Sequence, residues 1–144
     1  MLNTQNFLGS KAAKKIAITI LILISIQGNS QDSGKVTIFW DTSFSMEDRD
    51  TFREFYFLDA YFQNKGDAKV DLLIFSNEVH SKDSFTVSNG NWEALKQRLA
   101  STGNDGATSY NNLEDYVSGG EVLLFTDGYQ NIWSGAPKFD GELF

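Results

Sequence analysis

The chain has 144 residues, 19 acidic against 12 basic side chains for a formal net charge of -7, one His, one Pro and no Cys. That length suits one domain, and with 41 % hydrophobic and 14 % aromatic residues it holds too much core material for a disordered chain. The absent cysteines exclude a disulfide framework, Cys-ligated zinc or iron–sulfur sites, a thiol nucleophile and a lipidated N-terminal Cys, and the lone His80 argues against a multi-histidine metal cluster. The acid excess sets nucleic acid aside as a partner, because phosphate backbones are held by Lys and Arg.

Residues 1–30 read as a secretory signal peptide. Lys11, Lys14 and Lys15 precede an 11-residue apolar run at 16–26, and Gly28 and Ser30 supply the small residues that a signal peptidase accepts. The run falls well short of the roughly 20 residues a spanning helix needs, so no integral membrane span is expected after cleavage. A buried β-strand or an uncleaved anchor are the alternatives. Cleavage near Ser30 would remove three Lys and no acid, leaving 9 basic (12 less 3) against 19 acidic residues in about 114 residues. The expected destination is the cell envelope, the periplasm or the medium.

A polar linker, 31–34, leads into a domain at 35–144. Residues 35–40 (Lys-Val-Thr-Ile-Phe-Trp) form a β-branched, apolar run that stops at Asp41, the pattern of a buried strand entering a polar loop. Residues 41–48 carry N-cap and first-turn signals. From 48 to 64 the pattern is helical, with Phe52, Phe55, Tyr56, Leu58 and Phe62 as an expected core stripe at spacings of three and four, interrupted by Asp59. A partner-binding surface is the other reading of that stripe. Residues 70–75 form a second strand after the Lys65-Gly66-Asp67 stop.

Residues 78–80 and 84–87, joined by a polar turn, read as a short edge hairpin or a third strand, which leaves His80 as a solvated surface residue. Asn91 caps a short helix at 92–99 in which Trp92 packs at the start. Residues 101–109 are a loop by composition, 111–117 two helical turns, and 121–125 another buried strand ending in Thr126-Asp127-Gly128. Residues 139–144 look like the start of one more strand. Strands alternating with helices indicate an α/β parallel sheet.

Two strands end alike, in Trp40-Asp41 and Thr126-Asp127. Open parallel sheets bind ligands beyond the carboxyl ends of their strands, where the strand order reverses. If these two strands are neighbours, Asp41 and Asp127 face one crevice, and the loop carrying Thr108 can reach it. Asp41, Ser43 and Ser45 stand at alternate positions, and with Thr108 and Asp127 they make a set of hard oxygen donors suited to Mg²⁺ or Mn²⁺ rather than zinc. Two carboxylates only neutralise such an ion, so a position left to solvent still attracts an acidic group from a partner. Thr102, Ser109 and Ser101 are alternatives to Thr108, whereas Asp105 reads as a turn residue. Trp133, beyond Asp127, is a candidate contact residue.

Competing readings meet specific mismatches. An EF-hand would need Gly at Met46 and Glu at Phe52. A phosphatase using Asp41 as nucleophile would need an acid two residues on, where Ser43 stands. A serine hydrolase lacks a G-x-S-x-G turn and has only His80 as base. Plain capping and turn roles for Asp41, Ser43, Ser45 and Asp127 remain open.

Taken together, Asp41-x-Ser43-x-Ser45, Gly106-Ala-Thr108 and Thr126-Asp127-Gly128 resemble the metal ion-dependent adhesion site of von Willebrand factor A domains, over residues 35–133. The resemblance implies a doubly wound, mostly parallel sheet, with Ser43, Ser45 and Thr108 ligating the metal largely directly and Asp41 and Asp127 often through water. It also implies a binding module without catalysis, whose protein partner presents an Asp or Glu to the metal. Such domains usually continue through further strands, whereas 17 residues follow Asp127. On that basis the domain is expected to be incomplete on its C-terminal side, a vestigial piece or the N-terminal part of a larger exported protein.

Overall fold

A computed structural model describes residues 20–25, 34–129, 132 and 142–143. In chain order the elements are β1 (Ile20–Ser25), β2 (Lys35–Asp41), a 3₁₀ turn (Phe44–Met46), α1 (Thr51–Lys65), β3 (Ala68–Phe75), β4 (Val79–Val87), α2 (Glu93–Ala100), a second 3₁₀ turn (Leu113–Tyr116), β5 (Glu121–Thr126) and β6 (Glu142–Leu143). The strands lie in the order β4-β3-β2-β5-β1-β6.

β2 is central and parallel to both β3 and β5. Its alternation explains why: Val36, Ile38 and Trp40 enter one core while Phe39 enters the other, so both faces of the strand are covered, as parallel sheets require. β4 runs antiparallel to β3, because only Ser76, Asn77 and Glu78 separate them and so short a link cannot cross back over the sheet. The sheet is therefore mixed. Of the two readings of 78–87, an edge hairpin or a third strand, the second holds, as a single nine-residue edge strand, Val79–Val87, with alternating exposure. Its polar middle is held in the strand by partners: Lys82 lies 3.9 Å from Asp71, and Asp83 receives Arg98 at 2.9 Å.

Both α-helices supply the same core. Leu58 and Phe62 of α1 and Leu95 and Leu99 of α2 pack with Ile38, Trp40, Leu72 and Phe125. The opposite face, formed by Phe39, Leu73, Phe75, Val122 and Leu124, is covered by Tyr110 and Leu113, with Tyr116 and Val117 against them. This arrangement is α/β, with the two α-helices found among the described residues on one side of the sheet.

The stripe expected on α1 holds at Phe55, Leu58 and Phe62 and fails at Phe52 and Tyr56. Phe52 and Tyr56 are 80 % and 70 % exposed, whereas Glu54, Leu58 and Phe62 are buried and Phe55, Phe57 and Tyr61 pack beside them. At 100° per residue, positions 54, 55, 58, 61 and 62 share one face and 52 and 56 lie opposite. An acid heads the buried face because Arg49 neutralises Glu54. The helix starts later than expected, capped by Asp50, whose side chain accepts the Arg53 N–H at 3.1 Å. Asn91 acts as anticipated, its side-chain oxygen accepting the Glu93 N–H at 3.1 Å, and Trp92 is buried at the start of α2.

β1, inside the expected signal segment, pairs antiparallel with β5 from Ile20↔Thr126 to Ser25↔Glu121, and β6 pairs with β1. A peptidase acting near Ser30 would remove β1. Trp133 and most of the expected strand at 139–144 lie outside the described residues. Among the described residues, no helix is long and apolar enough to cross a membrane.

Candidate functional site

The chain leaves β2 for β3 on one side of the sheet and later enters β5 on the other, so the strand order reverses between β2 and β5, where ligands of open α/β sheets bind. Trp40 stands beside Phe125 in that pairing, which brings Asp41 level with Thr126 and places Asp127 one residue further out. The strand adjacency that this juxtaposition requires is present. The charge of Asp127 is felt at Asp41.

Asp41 is fully buried and both its oxygens are engaged. Oδ1 accepts the Ser43 N–H at 2.8 Å, and Oδ2 accepts the Thr126 hydroxyl at 2.7 Å. Burial pushes its carboxyl above the ordinary aspartate range, opposed by the hydrogen bonds from Ser43 and Thr126 and reinforced by Asp127. Because Thr126 gives its proton to Asp41, the 3.0 Å contact between Tyr110 Oη and Thr126 Oγ1 takes its proton from Tyr110. The Gly128 N–H adds a 3.2 Å bond to the same oxygen. Thr126 thus ties the third loop to the end of β2. Desolvation, together with the charges of Asp41 and Asp127, also raises the Tyr110 phenol.

The first two loops are joined through their backbones. The Phe44 N–H donates to Gly106 O at 2.9 Å and the Asp105 N–H to Thr42 O at 2.7 Å. Asp105 itself is exposed, as a turn residue should be. Gly106 has φ +83°, and a Cβ there would lie 2.9 Å from Ser76 Oγ, so the close approach needs glycine. Thr108 sits in this loop, its carbonyl accepting the Ile132 N–H at 3.1 Å, while its buried hydroxyl has no partner. Such an atom is costly unless something bonds it.

Ser43 is buried and Ser45 exposed, with their hydroxyl oxygens 3.1 Å apart. That contact is a hydrogen bond between the two hydroxyls, and its length is also close to the about 2.9 Å that separates neighbouring ligands of a regular octahedron with Mg–O bonds of 2.0–2.1 Å. Asp127 is half-buried at the rim, where one oxygen accepts the Tyr129 N–H at 2.9 Å. Among the described residues no three His, Cys, Asp or Glu side chains form a cluster. The set here is instead two carboxylates and three hydroxyls.

Several contributors escaped sequence reasoning. Thr126 was visible only as a companion of Asp127, and nothing local marked Tyr110, which reaches it across the fold. His80 is exposed as expected, yet its Nε2 lies 2.6 Å from the buried Ser76 Oγ. Ser76 in turn accepts the Ser109 N–H on its carbonyl at 2.9 Å, so His80 reaches the loop carrying Thr108 through one residue. Arg49 stands at the start of the helix expected over 48–64 with nothing to mark a role for it, and its partner Glu54 lies in a pattern searched for apolar residues. No family model, curated protein or solved structure matches the chain.

Proposed function

We propose that the protein is an exported von Willebrand factor A-like binding module that holds Mg²⁺ or Mn²⁺ with Asp41, Ser43, Ser45, Thr108 and Asp127, and uses the ion to bind an acidic group of a protein partner. The unpartnered, buried hydroxyl of Thr108 carries this reading. A cation would supply the bond that the hydroxyl lacks. The spacing of the Ser43 and Ser45 hydroxyls supports it, as does the position beside the strand-order reversal. The raised carboxyl of Asp41 is what a buried acid shows when its charge is uncompensated, and a divalent ion supplies the compensation.

When bound, the ion would act as a Lewis acid toward a carboxylate. Asp41 and the hydroxyls fix its position, and Asp127 at the rim balances its charge. No catalysis belongs to this reading, because Ser43 occupies the position where an aspartyl phosphotransferase needs its proton donor. A doubly wound sheet is the architecture the motif implies; the parallel β2, β3 and β5 agree with it, whereas the α-helices described lie on one face and β4 runs antiparallel.

The test is a thermal melt of the full chain in Mg²⁺ or Mn²⁺ against EDTA, with Asp127→Ala as control. A cation binding only the folded state stabilises it by about 2.7 kcal/mol at a hundredfold excess over Kd, roughly 10 °C for a chain of this size. Asp127→Ala should lose most of that shift. Superimposable wild-type melts with and without the ions overturn the proposal.

A further inference from the structure

Below the first loop lies a charge pair whose burial stability alone does not explain. The side chains of Arg49 and Glu54 are 7 % and 4 % exposed. They meet in a two-pronged contact, Nε to Oε2 at 2.8 Å and Nη2 to Oε1 at 3.0 Å. The guanidinium lies 3.7 Å from the centre of the Trp40 ring. Its remaining nitrogen, Nη1, donates to the carbonyl of Asp41 at 2.6 Å. All three faces of the group are thus assigned: an aromatic plane beneath, a carboxylate at one edge and the backbone at the end of β2 at the other.

Burying two charges carries a large desolvation cost, and a well-packed apolar pair of similar volume commonly gives equal or greater stability. What an apolar pair lacks is direction. A planar fork clamped by Glu54 presents its third donor along a fixed line, and the atom on that line belongs to Asp41, the last residue of β2. Ser43, two residues on, bonds back to the Asp41 side chain. The N–H of the same peptide, on Thr42, donates to Phe75 O at 2.7 Å, so the sheet and Arg49 hold its two sides, and a displacement of the Asp41 carbonyl alters the path of the chain that leads to Ser43.

We propose that Arg49 is the positioning residue of the first loop: held between Trp40 and Glu54, its guanidinium fixes the Asp41 carbonyl and thereby sets where Asp41, Ser43 and Ser45 present their oxygens. The inference rests on the cation reading for its functional meaning, whereas the geometry it claims exists without any ion. Arg49 touches no ligand and acts through Asp41.

The experiment uses the full chain with Arg49→Met/Glu54→Leu, which replaces the pair with apolar side chains, and Arg49→Lys, which keeps a charge beside Glu54 without the planar fork. Three quantities are measured: the melting temperature in EDTA, Mg²⁺ affinity by calorimetry, and hydrogen exchange of the Ser43 amide in EDTA. The double variant should melt near wild type, bind Mg²⁺ at least about tenfold more weakly, a loss of about 1.4 kcal/mol, and exchange the Ser43 amide faster. Arg49→Lys should fall between the two.

Wild-type affinity together with wild-type Ser43 protection in a folded double variant overturns the proposal. If the double variant does not fold, Arg49→Lys decides alone, and wild-type values in it overturn the proposal. Failure of the wild type to bind Mg²⁺ overturns the cation reading. In that case Ser43 exchange still judges Arg49: faster exchange in the variants supports positioning, and unchanged exchange refutes it.

Discussion

At Thr108 a hydroxyl is buried with nothing to bond, and an unmet polar group of this kind costs about 1–3 kcal/mol. Thr108→Val keeps the shape and deletes that cost. In EDTA the variant should be at least as stable as wild type, by up to about 3 kcal/mol, while losing most of the stabilisation expected from Mg²⁺. A capping or packing role gives the reverse, a loss in EDTA. Asp41 makes a second residue-scale prediction through its raised carboxyl. The folded state disfavours the charged form, so ionisation opposes folding above the raised value. The penalty shrinks as pH falls through that value and vanishes once the unfolded chain's Asp is also protonated. In EDTA, the gain in melting temperature of Asp41→Asn over wild type should be largest at neutral pH and should shrink toward pH 4. A difference that does not vary with pH would contradict the burial argument.

Among the elements, α1 separates what the sequence shows from what it hides. A helix here was legible from its spacing, its Asp-rich start and the Lys-Gly-Asp stop, because these depend on neighbours in sequence. Its orientation was not, because two phases compete for the aromatic residues. The observed phase buries Leu58 and Phe62 with Phe55, Phe57 and Tyr61 beside them, and it takes in Glu54, whose charge Arg49 pairs. Leu58→Ala should accordingly cost about 2–5 kcal/mol, whereas Phe52→Ser and Tyr56→Ser should stay within about 0.5 kcal/mol, as read by urea unfolding. The second loop depends on Gly106, at φ +83° and close to Ser76. Gly106→Ala should destabilise the fold by about 1–3 kcal/mol and weaken Mg²⁺ binding, since the same loop carries Thr108. An unchanged urea midpoint would remove the argument for a required close approach.

Across the whole molecule, the neighbouring of β2 and β5 was open in the sequence only as a condition, raised because an Asp closes β2 and another directly follows β5, each after a mainly apolar run. The layering was not legible. Strand and helix alternation does not say which face each connection crosses, and the opposite face is covered by the turns around Tyr110 and Leu113 rather than by a long helix whose period would have been visible. Nor does composition distinguish an apolar leader from an apolar strand, since one run of Ile and Leu serves either purpose. The pairing of β1 with β5 gives a further prediction. Removing residues 1–30 leaves the outer edge of β5 unpaired, and such an edge invites pairing with another chain. Sedimentation should show the 31–144 chain self-associating more strongly than the full chain at equal concentration. Equal behaviour of the two would show that β1 does not guard that edge.

Trp40 gives the candidate site a built-in optical readout. It precedes Asp41 in the chain, lies fully inside the core and carries the Arg49 guanidinium on its face. Its excited state therefore senses any shift of that cation or of the β2 end, because indole emission responds to charge held close to the ring. Trp92 sits 5.6 Å from Phe55, beside α1 in the helical core, so Trp92→Phe together with Trp133→Phe leaves Trp40 as the one indole of the chain. Emission from such a protein would follow ion loading at Asp41 in real time, with no label attached.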